Sequence, residues 1–211
     1  MGFFVMDYKK MLEFVRKTLS DNDAIKSRNV HHQFRDRAKH SYRIYKWVER
    51  LSPDFPDADL DVAKTAAIFH DVGYSKGKKD HALYSALIFE KYAKENKFDS
   101  DFTNKVLYII ENHSNKELLK TSNNKELILV LEADLLDEEG AMGLMWDLMA
   151  AGSKGVEAYE DGMEELYIHS LHILDQDFMV TPIAKKYWNE KKKLVKDYLD
   201  QIKEDLFIEE N

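Results

Sequence analysis

Residues 60–73 read Leu60-Asp61-Val62-Ala63-Lys64-Thr65-Ala66-Ala67-Ile68-Phe69-His70-Asp71-Val72-Gly73, and this stretch decides the fold. Leu60, Ala63, Ala67 and His70 recur at offsets of 3, 7 and 10, which is one face of a helix and not the alternation of a strand. The spacing predicts a helix over 60–70 that stops near Gly73, a residue type that ends helices without a Cβ penalty. The apolar face runs into a histidine, with an aspartate next to it. A polar pair at the end of a buried stripe is where chemistry is to be sought.

The same period extends outward in both directions. Helices are expected over 7–19, 35–51, 81–95, 102–113, 125–136 and 140–150, the second stopping at Ser52-Pro53 because proline disfavours helical geometry in the residue before it. A short lysine-rich loop, 73–80, separates the opening stretch from the next helix. Thr181-Pro182 starts a last long helix over 183–208, with Pro182 tolerated in the first turn. Its apolar side reads as Tyr187, Leu194, Tyr198, Ile202 and Leu206. The expectation is one all-α domain over residues 1–211, a helical bundle with an additional C-terminal helical segment available for packing or oligomerisation.

Composition agrees and excludes several functions. The 211 residues are 44% hydrophobic and 33% charged, enough for a real core, and only 8 Gly and 3 Pro argue against a turn-rich all-β architecture. The net charge of −8 is opposite to what a nucleic-acid polymer requires, leaving room only for a local cationic pocket. No cysteine is present, so disulfides, thiolate zinc sites and cysteine nucleophiles are excluded. Residues 1–10 lack the pattern of a secretory leader, and no apolar run approaches the roughly 20 residues needed to cross a bilayer. A cytoplasmic protein without a membrane partner is expected.

The chemistry sits at corresponding places on four helices. His40 shares a face with Ile44, Trp47, Val48 and Leu51; His113 closes the stripe Val106, Ile109, Ile110; Asp134 closes Leu127, Val130, Leu131; and His70 closes the opening stretch. One histidine on an apolar face is ordinary core. A buried carboxylate such as Asp134 is not, because unpaired it costs several kcal/mol or takes up a proton. A divalent cation among these groups satisfies all of them, and imidazole with carboxylate suits Mn, Fe, Zn, Co or Mg.

These residues also carry a resemblance. The order His40, His70-Asp71, Asp134 on successive helices resembles the HD-domain family of metal-dependent phosphohydrolases, and residues 67–73 resemble its signature segment. Glu132-Ala133-Asp134-Leu135-Leu136-Asp137 is similar to its closing segment, and His40 with Arg43 and Val48 to its opening helix. The similarity covers residues 36–150, as an HD-type core, and leaves 151–211 as a C-terminal helical extension. It is nearest to the small bacterial branch that includes nucleotide pyrophosphohydrolases.

The resemblance implies His40, His70, Asp71 and Asp134 as metal ligands. It implies a small phosphorylated substrate, a nucleotide first, hydrolysed by a metal-activated water that Asp71 helps to hold. His81 and His113 resemble positions that add a second metal or contact phosphate. Two departures stand out: His81 lies only ten residues past Asp71, closer than in the two-metal cyclic-dinucleotide phosphodiesterases, and His113 is not doubled to His-His. One ion is therefore expected, with His81 and His113 as phosphate or proton-transfer residues; two ions are the alternative. Lys78, Lys79 and Arg43 are the candidate phosphate-binding cations, and Tyr74, Phe69 and Trp146 candidate walls for an organic group. A nucleotide sensor without turnover and an HD-type di-iron oxygenase are the rival readings.

Other motifs lack their context. Gly73-Tyr74-Ser75-Lys76-Gly77 matches a nucleophile elbow, which works only at the edge of a sheet that this chain does not offer. Gly77-Lys78-Lys79 lacks the Ser or Thr of a phosphate-binding loop. His169 and His172 have no Glu between them to serve as a metalloprotease base, and His31-His32 read as structural. Trp146 with Met142, Met145 and Met149 reads as helix core or pocket wall.

Overall fold

Short acidic and amide side chains start five of the helices, where backbone N–H groups would otherwise lack partners. In the computed structural model, which describes residues 6–208, Asp7 accepts from Lys10 N at the start of α1 (Tyr8–Asp21) and Asp36 from Lys39 N at α2 (Arg37–Leu51). Asp59 caps α3 (Leu60–Phe69) through Val62 N; α4 (His81–Glu95) follows, and Asp99 caps α5 (Ser100–Asn112). After the single turn α6 (Leu118–Thr121), Asn124 caps α7 (Lys125–Glu138) through Leu127 N. The chain ends in α8 (Ala141–Ser153), α9 (Tyr159–His169), α10 (His172–Asp175) and α11 (Pro182–Asp205). No strand is formed among the described residues; one isolated bridge joins Lys26 and Asp36. The beginning of the 1–10 stretch, on which the leader reading rests, lies outside them. No helix among them is long and apolar enough to cross a membrane.

α3 is the hub. Seven of its ten residues are buried, and it packs against α1, α2, α5 and α7. Its small side chains Ala63, Ala66 and Ala67 let those helices approach, and Phe69 at its end stacks among Phe14, Phe89 and Tyr92. Phe69 is thus a core residue and not the pocket wall expected from sequence. The helix ends at Phe69, with His70 as its cap, and the supposed loop beyond it opens as a 3-10 turn, Val72–Ser75. Gly73 lies inside that turn because α4 presses on it: a Cβ there would stand 2.0 Å from His81 O and 2.5 Å from Ser85 N. Gly73 N donates to Ser85 Oγ at 2.7 Å, which fixes the start of α4 beside the end of α3.

Two further features position the site. The segment between α1 and α2 is closed on itself, with Ser27 N donating to Arg35 O at 3.3 Å and Arg37 N to Ile25 O at 2.8 Å. At the other end of the chain, Glu132 of α7 is fully buried and caps α11: Val180 N (2.7 Å) and Thr181 N (2.9 Å) donate to Oε1, and Thr181 Oγ1 donates to Oε2 (2.7 Å). The face that α11 buries is Ala184, Trp188, Val195 and Leu199, one position round from the stripe read in the sequence; Leu194 and Tyr198 are exposed. α9 and α10 were not marked by periodicity, since few of their residues are buried.

Candidate metal centre

His40 comes from the first turn of α2, His70 and Asp71 from the end of α3, His81 from the first residue of α4, His113 from the end of α5 and Asp134 from the third turn of α7. The fold brings all six to one place. His40, His70, Asp71, His113 and Asp134 are buried, and His81 is largely so.

Each imidazole is oriented in the same way. His40 Nδ1 donates to Asp137 Oδ2 at 2.8 Å, His70 Nδ1 to Ala67 O at 2.8 Å, His113 Nδ1 to Ile110 O at 2.7 Å and His81 Nδ1 to Lys78 O at 3.2 Å. All four acceptors are oxygens that cannot donate, so in the neutral imidazole the proton sits on Nδ1 and the lone pair of Nε2 points inward. His40 and His70 Nε2 are 3.3 Å apart, and His81 and His113 Nε2 are 3.1 Å apart. Lone pairs facing at such distances repel unless a proton or a cation stands between them.

The carboxylates complete the set. Asp134 Oδ1 is 3.4 Å and Asp71 Oδ2 3.8 Å from His40 Nε2, and Asp71 Oδ1 is 3.7 Å from His70 Nε2. Donors about 2.1 Å from a common centre stand about 3.0–3.5 Å from one another, so this spacing fits a divalent ion. Two groups of donors are close enough for one, His40, His70 and Asp134, and His70, Asp71 and His113.

The electrostatics point the same way. Burial would raise Asp71, but His70, His113 and His40 hold it well below the usual carboxylate range; burial would likewise raise Asp134, and Lys116 and His40 reverse that. Burial would lower His40, yet Asp134, Asp137 and Asp71 push it up to about 9. Burial lowers His70 to about 4. Burial would lower His113 too, but Asp71 raises it. Two ionised carboxylates and a neutral His70 suit a cation, and the proton that the carboxylates hold on His40 is one that a divalent ion would displace.

The remaining sequence candidates fall around this centre. His81 reaches it despite the short gap from Asp71, 3.5 Å from Asp71 Oδ1, because the Gly73 contact folds the turn tightly; His113 stands 3.4 Å from the same oxygen. Arg43 faces Asp137, donating from Nε at 2.6 Å and Nη2 at 2.8 Å. Lys78 lines a cavity beside Tyr74, and Lys79 is exposed on the loop. Met142, Met145, Trp146 and Met149 line a cavity of about 190 Å³ that reaches His40 and Arg43. Ser75 is buried on an all-helical scaffold. His169 and His172 are half exposed beside Glu165 and Glu139, His31 meets Ser153, and His32 packs edge-on against Trp146.

Sequence reasoning missed three contributors. Asp137, three residues past Asp134, shares its helix face and orients His40. Lys116 donates to Asp134 Oδ2 from the turn after α5, where no periodicity marks it. Arg37 stacks on Tyr74 with 3.4 Å from guanidinium carbon to ring centroid, and Tyr74 stacks in turn on His81 at 4.3 Å.

The HD domain model matches residues 37–139. The uncharacterized protein YpgQ of Bacillus subtilis is 31% identical over 159 residues, which cover 71% of this chain and 74% of that protein. The chain belongs to the HD-domain family. Its HD fold is seen again in a solved HD-superfamily hydrolase of Bacillus thuringiensis, with a TM-score of 0.71 and 20% identity over 96% of this chain and 97% of that one. B. subtilis YpgQ in complex with ADP matches with a TM-score of 0.66 and 20% identity, covering 94% and 97%. The matched HD segment spans α2 to the end of α7 and contains all six residues of the centre.

Proposed function

We propose that this protein is a metal-dependent phosphohydrolase that cleaves a phosphoester or phosphoanhydride bond of a small molecule, a nucleotide by first choice. One observation carries the reading: four imidazoles, each with Nδ1 bonded to an oxygen, turn Nε2 toward Asp71 and Asp134, and two buried groups that share His70, His40/His70/Asp134 and His70/Asp71/His113, have the spacing of metal ligands. Membership of the HD-domain family supports it, and the ADP bound by YpgQ supports the choice of nucleotide.

His40, His70, Asp71 and Asp134 would hold one divalent ion, with Mn, Fe, Co, Mg and Zn all compatible with the donors. Such an ion supplies a Lewis acid for a phosphoryl oxygen and lowers the pKa of water toward about 7. The protein's own groups do the rest. Asp71 accepts a hydrogen bond from the attacking water and orients it. His81 and His113, on the far side of Asp71, meet the charge that grows on the phosphoryl oxygens and pass the proton. Lys78, Lys79 and Arg43 remain the candidate cations for the phosphate; Arg43 would act while bound to Asp137. The core of residues 36–150 carries this chemistry, and 151–211 is a C-terminal helical extension.

Elemental analysis followed by assays of phosphate and pyrophosphate release across nucleotides and phosphomonoesters tests the proposal. Turnover that chelation abolishes, and that Asp71→Ala removes together with metal affinity, is expected. A chain that takes up no divalent ion, or that binds nucleotide and releases nothing, refutes it. The extra histidines at the centre favour one other reading, a di-iron oxygenase, which iron content and oxygen consumption separate from hydrolysis.

A further inference from the structure

The two oxygens of Asp134 are put to different uses. Oδ1 is turned toward the centre, 3.4 Å from His40 Nε2, whereas Oδ2 accepts a hydrogen bond from Lys116 Nζ. The same ammonium donates to His113 O at 3.2 Å, so one cation ties the C-terminal cap of α5 to the third turn of α7. A cation at the end of a helix suits the carbonyls left free there.

The lysine is held in place by its own turn, in which Asn115 N donates to Asn112 O at 3.0 Å and Leu119 N to Lys116 O at 3.1 Å. Its side chain is 29% exposed and that of Asp134 10%, so the pair sits at the rim of the centre. An ion pair between surface groups would be worth little. This one differs because its carboxylate belongs to the donor group of His40, His70 and Asp134. A carboxylate can give a cation one oxygen or both. Asp71 is not held in this way, since Arg37 Nη1 stands 4.0 Å from its Oδ2, beyond hydrogen-bonding distance. Arg43 is bound to Asp137, which lies in neither donor group.

We propose that Lys116 is a positioning residue for the metal centre: it engages Asp134 Oδ2 so that only Oδ1 is offered to the ion, which leaves a coordination position for water. The inference rests on the metal-binding part of the proposed function and not on the hydrolysis. Catalytic metal sites keep such a position open, whereas structural sites are closed. Lys116 thereby gives up affinity for access, because its positive charge and its hold on Oδ2 both oppose a bound cation. In the absence of metal the same ammonium is the partner that Asp134 needs as a largely buried carboxylate. Its role is therefore legible as a difference between the loaded and the chelated protein.

The experiment compares the full chain with Lys116→Met, which loses charge and donor, and with Lys116→Arg, which keeps both. Mn²⁺ is the probe: calorimetric titration gives its affinity, and water-proton relaxation of the loaded protein gives the number of waters it holds. Lys116→Met should bind Mn²⁺ about tenfold more tightly, with fewer coordinated waters and a lower kcat, and Lys116→Arg should match the parent in affinity and water number. Chelated Lys116→Met should unfold at lower urea than the chelated parent and gain more from added Mn²⁺. Lys116→Ala should act in the same direction and decides the matter if Lys116→Met does not fold. Affinity unchanged or weaker in these two variants, or tighter binding with the parent's number of waters, overturns the positioning role. A parent chain that takes up no Mn²⁺ refutes the metal centre and this role with it. Tighter binding with fewer waters in a protein that hydrolyses nothing upholds the role and removes the hydrolase reading.

Discussion

Replacing Asp137 by alanine removes the acceptor of three donor groups at once: His40 Nδ1 at 2.8 Å, Arg43 Nε at 2.6 Å and Arg43 Nη2 at 2.8 Å. His40 is 1% exposed, so its Nδ1–H loses its acceptor where water does not easily replace it, at a cost of about 1–3 kcal/mol. The Arg43 side chain is 36% exposed and regains water, so its part is discounted to less than about 1 kcal/mol. The sum is a loss of roughly 1–4 kcal/mol in the metal-free protein. Metal binding should suffer separately. With Nδ1 unanchored, the proton is free to sit on Nε2, the atom that faces the centre, and affinity should fall about 10–100-fold. Urea unfolding of chelated protein reads the first effect and a calorimetric metal titration the second, and the stabilisation conferred by a fixed metal concentration should shrink accordingly. Asp137→Asn, which keeps an acceptor oxygen, should recover part of both. Metal affinity within twofold of the parent in Asp137→Ala would refute the idea that Asp137 orients a ligand.

Other perturbations probe the scaffold and the stoichiometry. Gly73→Ala places a Cβ 2.0 Å from His81 O, so the first turn of α4 must move; a loss of about 1–3 kcal/mol in thermal unfolding is expected, together with reduced turnover as His81 withdraws. Glu132→Leu should cost about 2–5 kcal/mol, since Val180 and Thr181 N–H lose their shared acceptor. Burial raises the Glu132 carboxyl above its ordinary value, so its contribution is full below the unfolded pKa of about 4.3 and is lost as pH rises through the higher folded value. Glu132→Gln does not titrate, and denaturation from about pH 4 to about pH 7 should therefore shift in its favour relative to the parent. His81→Ala should retain its metal content and lose turnover on the order of a hundredfold; a fall from two ions to one per chain would assign His81 to a second ion instead.

The parts legible in the sequence were those where one helix face is buried and the other is not. Leu60, Ala63, Ala67 and His70 announced α3, and the matching stripes on α2, α5 and α7 announced where His40, His113 and Asp134 would point. α11 defeated the same reasoning because apolar residues sit on two adjoining stripes: periodicity admits Tyr187, Leu194 and Tyr198 as readily as Ala184, Trp188 and Val195, and only packing chooses. Chain distance from Asp71 alone leaves His81 short of the centre, whereas its reach depends on how closely Gly73 lets α4 approach. Arg37 and Lys116 carry no periodic signal, since long cationic side chains are usually solvated and their burial follows from the closed segment and the turn around them.

Glu132 and Asp134 are two residues apart on α7, one holding the entry to α11 and the other 3.4 Å from His40 Nε2. A clone trimmed to the HD segment would therefore strip a buried carboxylate of every donor it has on the C-terminal side, within one helical turn of Asp134. The end of the matched HD segment at residue 139 falls between Glu132 and the donors it holds at 180 and 181, so it is a poor place to cut. The tail and the centre are held in register by one rigid rod, so substitutions near residue 180 belong in any survey of what tunes this site.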